Sequence, residues 1–241
     1  MKVNILTLFP EFFYPYLEFG IIKRALDSGQ VEIQIENIRD FSQDKHHKAD
    51  DYLYGGGYGM LMTPQPLWDA LEGKKRVYYL TPRGEPLTQS LARELVAEEV
   101  TLLCGHYEGI DQRIIDARVE REISIGDYIL SGGEIGALVL LDVLLRVTEG
   151  VIEEGSTLEE SHENGLLEYH QYTRPVVFKD MEVPEILLSG HHENIRQYRL
   201  KESVKLTLER RPDLIEKGLQ NNTFSDEIKK LIHNYREEKS I

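Results

Sequence analysis

Three short apolar runs in this chain, residues 77–80, 100–103 and 123–125, each pass directly into a loop that carries glycine. The first opens into Thr81-Pro82-Arg83-Gly84 and the second into Cys104-Gly105 and on to Gly109. The third opens into Gly126-Asp127-Tyr128-Ile129-Leu130-Ser131-Gly132-Gly133-Glu134. Helical patterns lie between the runs, and alternating strands and helices build an α/β layer with a parallel sheet. Ligands in such sheets bind beyond the carboxyl ends of the strands. The three loops therefore nominate one pocket.

The rest of the first half fits the same layer. A strand is expected over 3–9, ended by Pro10, followed by a helix through Leu17, Ile21, Ile22, Ala25 and Leu26 that stops at Gly29. Val31, Ile33 and Ile35 alternate like a strand. Residues 39–63 hold Asp50, Asp51 and the run Tyr54-Gly55-Gly56-Gly57-Tyr58-Gly59-Met60, which reads as a loop. Residues 64–71 form a short helix and residues 87–99 a longer one with Leu91, Leu95 and Val96 inward. The next helix opens at Gly109-Ile110-Asp111. The apolar run 135–147 is too long for a typical strand and reads as a buried helix. Beyond it, residues 149–168 contain seven glutamates and no Lys or Arg, the composition of a linker. Helices are expected over 195–209 and from about Ser225, with Arg210-Arg211-Pro212 as a break. Three segments follow: 1–152, 153–170 and 171–241.

Composition narrows the function classes. Of 241 residues, 41% are hydrophobic and 29% charged, enough apolar content to exclude disorder over most of the chain. The longest apolar run falls far short of the roughly 20 residues of a membrane span. A single cysteine, Cys104, excludes an intrachain disulfide and a thiolate zinc cluster. The N-terminus lacks a signal-peptide pattern, so a cytoplasmic protein is expected. Net charge is −14, which opposes phosphate binding, but it is unevenly spread. Residues 1–173 carry 15 basic and 30 acidic side chains, whereas 174–241 carry 13 and 12. Candidate phosphate contacts are Arg24, Lys45, His46, Lys48, Arg174, Arg196, Arg199, Lys201 and Lys205.

No phosphate-loop, HExxH, GxSxG or GxGxxG signature follows the expected strands. The glycine run 55–60 is either a plain surface loop or a site of close backbone approach to a ligand. Gly105, Gly109, Gly132 and Gly133 follow strands, where backbone groups can grip a base edge or a ribose. Tyr107 either flanks that ring or covers the core. Cys104 reads as buried filler rather than a nucleophile. Arg146 ends an apolar helix and is either a helix-end cation or a fixed charge at a pocket mouth.

These segments together resemble the bacterial tRNA (guanine-37 N1)-methyltransferase family of the knotted, SPOUT-type superfamily. The likeness runs from Leu8-Phe9-Pro10 through Asp50-Asp51, Tyr54-Gly55-Gly56-Gly57 and Tyr79-Leu80-Thr81-Pro82-Arg83-Gly84. It continues through Cys104-Gly105-His106-Tyr107-Glu108-Gly109-Ile110-Asp111 and Ser124-Ile125-Gly126-Asp127-Tyr128-Ile129-Leu130-Ser131-Gly132-Gly133-Glu134. Gly165-Leu166-Leu167-Glu168, Tyr172-Thr173-Arg174-Pro175, Val183-Pro184, Leu187-Leu188-Ser189-Gly190 and Arg211-Pro212 complete it.

The resemblance implies an α/β domain with a deep trefoil knot, an exception to the rule that chains do not knot, and a small helical C-terminal domain. It implies S-adenosylmethionine held by Tyr79, Leu80, Thr81, Pro82, Gly84, Cys104, Gly105, Tyr107, Glu108 and Gly109. Ser124, Ile125, Gly126, Tyr128, Ile129, Leu130, Gly132 and Gly133 complete that set. It assigns Asp50, Gly55, Gly57, Gly59, Met60, Arg174, Arg196, Arg199 and Lys201 to a tRNA carrying G36 and G37. It further implies a homodimer with the active site at the subunit interface, a dependence on Mg²⁺ at no stated site, and no membrane. Arg146 matches the arginine that stabilises charge on guanine O6. The general base of the family is an aspartate in an Asp-Ser-Phe segment; here Glu160 takes its position and His162 replaces the Phe, leaving Glu159 and His162 as other candidates. A catalytically weak or silent tRNA-binding protein of the same fold is the alternative.

Overall fold

Each of five apolar segments is followed by chain that crosses back over the sheet, so the five align in parallel. The structure, a computed structural model, describes residues 1–151 and 160–239. The chain divides into two compact units, Met1–Glu153 and Glu154–Ile241. The first unit runs β1 (Lys2–Thr7), α1 (Tyr14–Leu17), α2 (Gly20–Asp27), β2 (Glu32–Asn37), the two-residue strands β3 (Asp50–Asp51) and β4 (Leu61–Met62), and α3 (Pro64–Ala70). It continues with β5 (Val77–Pro86), α4 (Gln89–Leu95), β6 (Glu99–Cys104), α5 (Gln112–Arg118), β7 (Arg121–Ser124) and α6 (Glu134–Val147). The sheet order is β2-β1-β6-β5-β7, every pair parallel.

Both faces of this sheet are covered, as a parallel sheet requires. Val3, Ile5, Tyr78, Leu80, Leu102 and Cys104 pack with Leu140, Leu141, Leu144 and Leu145 of α6 in one buried cluster. Leu6, Val77, Tyr79 and Leu103 pack with α3 and α5 in the other. Alternation along β1 thus splits between two cores. The expected α/β class with a separate helical unit holds. The loop after β6 and the loop before α6 meet: His106 bridges Gly132, and Gly133 N–H donates to Gly105 C=O at 2.8 Å.

Several boundaries differ from expectation for physical reasons. β5 does not stop at Leu80; after an irregularity it resumes, pairing Glu85 and Pro86 with Ile123 and Ser124. The helix expected over 87–99 ends at Leu95, because Val96 turns extended (ψ 128°) to lead into β6. Leu17 belongs to α1, cut from α2 by Gly20 at φ +64°.

The second unit holds a hairpin, β8 (Val177–Phe178) and β9 (Met181–Glu182), then α7 (His192–Arg210), α8 (Pro212–Gln220) and α9 (Asp226–Lys239). The sequence pattern announces neither the hairpin nor α8. The hairpin turns on Lys179 and Asp180, both at positive φ, without the usual Asn-Gly signal. Pro212, read as a breaker, opens α8 at its first turn, where a missing N–H costs nothing. Leu166, Val204, Ile215, Phe224, Ile228 and Ile232 form this unit's core. Among the described residues no helix is long and apolar enough to cross a membrane.

Candidate functional site

The carboxyl ends of β5, β6 and β7 meet around a cavity of about 350 Å³. Its walls are the three glycine loops, and their closeness is what the glycines permit. A Cβ on Gly133 would lie 2.8 Å from the Cα of Cys104 and 3.0 Å from the nitrogen of Gly105. A Cβ on Gly105 would meet the Tyr79 ring at 2.8 Å. Leu80, Ile110, Ile115, Ile123, Ile129 and Leu130 supply the apolar lining. Backbone of the loops and the Tyr79, Thr81 and Ser124 side chains supply the polar part. Burial lifts the Tyr79 hydroxyl above its ordinary range. Tyr107, at φ +58°, accepts a hydrogen bond from Arg39 Nη2 at 3.1 Å.

Every residue expected around this cavity lines it except Gly84 and Cys104. Gly84 lies instead against the backbone of Glu122 and Ile123, where a side chain would overlap both. Cys104 is fully buried in the sheet core, and burial pushes its thiol well above the usual range, so it is packing and not a nucleophile. The lining also takes in Arg83, His106, Ile115, Ile123, Ser131 and Gly136. Arg83, His106 and Ser131 sit inside the loops already singled out. Ile123 belongs to the third apolar run, whereas Ile115 and Gly136 arrive from α5 and α6 by tertiary packing, and no local pattern marks them as cavity lining.

The glycine run is tied to the same wall. Glu108 N–H donates to Met60 C=O at 3.0 Å and Met62 N–H to Gly109 C=O at 3.0 Å. Asp50 begins the short ladder, paired with Met62. Gly55, Gly57 and Gly59 all take positive φ. At Gly59 (φ +91°) a Cβ would sit 2.6 Å from Glu108 Oε1, whereas at Gly55 and Gly57 it would meet nothing within 4 Å.

Arg146 lies in the last turn of α6, half-buried. The cavity touches the same helix at its start, Gly133 to Gly136. At about 1.5 Å rise per residue the two are roughly 15–20 Å apart along the axis. An outward stripe of α6 between them is apolar: Ile135 is 49% exposed and Val139 39%.

In the second unit, residues 160–168 fold back on themselves. Glu163 N–H donates to Glu160 C=O at 3.3 Å, His162 N–H to Leu166 C=O at 2.8 Å, and Leu167 N–H to Thr207 Oγ1 at 2.8 Å. Glu160 is thus held on a turn stapled to α7. His162 takes φ +76°. Glu159 lies outside the described residues. Arg174 and Arg199 line a cavity of about 430 Å³ with Tyr169 and Tyr172, and Arg199 stacks 4.7 Å over the Tyr169 ring. Arg196 is committed within the unit to Glu193 (2.9 Å) and Glu227 (3.1 Å), which raise its pKa further. Lys201 is exposed. Among the described residues no group of three or more His, Cys, Asp or Glu is placed to hold a metal ion.

Comparison with known proteins bears on the whole arrangement. The family model described as tRNA (Guanine-1)-methyltransferase TrmD matches residues 1–217. A tRNA (guanine-N(1)-)-methyltransferase of Caldicellulosiruptor saccharolyticus is 53% identical over 221 residues, 89% of this chain and 90% of the relative. Proteins of the same description are 49% identical in Treponema denticola, covering 99% of this chain and 100% of the relative, and 50% identical in Clostridioides difficile, covering 90% and 99%. A likeness that begins at β1 and carries through α7, over the cavity-forming loops and the helical unit alike, means that the chain belongs to the tRNA (guanine-1)-methyltransferase family.

Proposed function

We propose that this protein transfers a methyl group from S-adenosylmethionine to N1 of guanosine 37 in tRNA. The observation that carries the reading is the cavity at the ends of β5, β6 and β7, built by three interleaved glycine loops in a chain of this family. The lining fits such a cofactor. It is of nucleoside size, apolar on several sides, and rich in backbone groups brought close by Gly105, Gly132 and Gly133. When bound, S-adenosylmethionine supplies a methyl group already activated on a sulfonium.

The chain's own residues have two tasks. N1 of guanine carries a proton at neutral pH, so a base must take it as N1 attacks. Glu160 is assigned that role, held on its turn against α7. Negative charge then grows on O6, where a fixed cation stabilises the transition state more than the ground state. Arg146 is assigned there. Its distance along α6 from the cavity supports a homodimer in which one subunit's Arg146 serves its partner's cavity. The exposed Ile135 and Val139 on the same helix, with exposed Phe9 and Phe12 in the same unit, supply apolar surface for such a contact. Arg174, Arg199 and Lys201 are assigned to tRNA phosphates. Arg196 joins them only by exchanging its carboxylate partners. Magnesium has no cradle of side chains among the described residues, and no step is routed through it.

Methyl transfer from labelled cofactor to two tRNA transcripts, one with G37 and one with A37, tests the reaction. Incorporation into the G37 transcript alone is expected. Binding of both without incorporation would make the protein a silent tRNA binder of this fold.

Gly59→Ala tests the glycine run. Positive φ at a non-glycine residue costs about 1–3 kcal/mol, and the methyl group would also displace Glu108. The expected result is a kcat/KM for tRNA lower by roughly tenfold or more, with cofactor affinity changed less. Unchanged tRNA kinetics would remove this loop from the substrate site.

A further inference from the structure

Three tyrosines stand around the glycine run, and none of them packs on the protein. Tyr52, Tyr54 and Tyr58 are 81%, 101% and 99% exposed. Rings left this far in water contribute nothing to the core, yet the stem that carries them is firmly held. Thr63 N–H donates to Ala49 C=O at 2.9 Å, Asp111 N–H to Met62 C=O at 3.2 Å, and Met62 bridges Ile110. With the Glu108–Met60 bond, these contacts fix the loop to residues 108–111, of which 108–110 belong to one wall of the cofactor cavity. Between the rings, Gly55, Gly56 and Gly57 leave the backbone bare on the side where side chains would stand.

Charge sharpens the point. A chain of net charge −14 gains little from general attraction to phosphate. Stacking of bases on aromatic rings needs no net charge and tolerates any base. We infer that Tyr54 and Tyr58, with Tyr52 beside them, form a stacking site for the unpaired bases that flank the target guanosine. This rests on the proposed reaction for its ligand. The site holds the neighbours of the target against the cavity wall while the target base itself leaves the stack. It therefore acts on RNA positioning and not on the reacting atoms.

The test replaces each ring while keeping apolar bulk. Tyr54→Leu and Tyr58→Leu are compared with Tyr54→Phe and Tyr58→Phe, using an anticodon stem-loop RNA that carries the target guanosine. The leucine variants are expected to raise the RNA KM, and the Kd in a direct titration, by roughly 5- to 100-fold each. The phenylalanine variants, which keep the ring, should stay within about twofold of wild type. Turnover at saturating RNA and cofactor affinity should move little in either set. An RNA made abasic on both sides of the target should erase the difference between Leu and Tyr. Leucine variants that bind as well as phenylalanine variants would overturn the stacking site, as would a loss in the Phe variants equal to that in the Leu variants. Dissociation of a dimer in the leucine variants would overturn it too, by making the rings a protein contact. Because binding is titrated separately, a wild type that binds through these rings but transfers no methyl group would sink the proposed reaction and leave the stacking site standing.

Discussion

Gly133→Ala is expected to abolish measurable S-adenosylmethionine binding while leaving most of the protein folded. Gly133 already has φ −79°, so the backbone accepts alanine there. The obstacle is space: the added carbon would stand 2.8 Å from Cys104 Cα, and neither backbone is the movable end of a side chain. To relieve it, the loop before α6 must back away from the loop after β6, breaking the Gly133–Gly105 hydrogen bond that closes the cavity. Overpacking of this kind costs about 1–3 kcal/mol in stability. The greater loss falls on the cofactor, whose walls would part. Gly136→Ala, three residues along the same helix and also on the cavity lining, is the control for loop separation, because its methyl group leaves the two loops in contact. There the new carbon would touch Leu80 at an ordinary 3.4 Å. Alanine also favours a helix interior by about 1 kcal/mol over glycine, so this variant should fold at least as well. Calorimetric titration with S-adenosylmethionine, alongside thermal melts, separates the two. Wild-type affinity in Gly133→Ala would refute the closeness of these loops as the basis of the site.

Arg146→Ala is expected to lower kcat by about 10²- to 10³-fold, the usual cost of removing one group that stabilises developing charge. Affinity for tRNA should change little. Equal losses in binding and turnover would make Arg146 a binding residue. The same variant tests the subunit arrangement when mixed with Gly133→Ala. If each site takes its cavity from one subunit and its arginine from the other, a mixed dimer restores one intact site. Random reassortment in a C2 dimer should then return roughly a quarter of wild-type activity. If both parts come from one chain, every site in the mixture is broken and no activity returns.

Much of this architecture is legible in the order of residues. The three loops at 81–84, 104–109 and 126–133 stand out because an apolar run followed by glycine is a local signal, and β5, β6 and β7 do deliver them to one cavity. The long apolar run 135–147 is assigned to a helix on length alone, and α6 follows it closely. Other features are hidden because their causes are not local. β5 continues past Pro82 because β7 offers it further partners at Ile123 and Ser124, which no propensity in Thr81-Pro82-Arg83-Gly84 reveals. Helix α8 escapes the pattern because Pro212, whose missing N–H and bulky ring push Arg211 out of the helical region and end one helix, has the fixed φ that suits the first turn of the next. The acidic stretch reads as a plain linker by composition, yet from Glu160 onward it is clasped to α7 through Thr207, a residue about forty positions from Leu167.

The sequence by itself determined the α/β class, the family, the glycine loops and the kinds of side chain available for the chemistry. Those follow from periodicity, turn chemistry and the order of short motifs, all of which are written along the chain. Only the tertiary structure decided which glycines reach the cavity: Gly133 and Gly84 both press on backbone, that of Cys104 and Gly105 for one and of Glu122 and Ile123 for the other, and only Gly133 does so at the cavity wall. It also decided that Cys104 is core, that Arg196 is engaged by two glutamates, and that Tyr54 and Tyr58 stand in water. Each of these depends on neighbours brought together by packing, and packing is a property of distances between segments that a linear string does not contain.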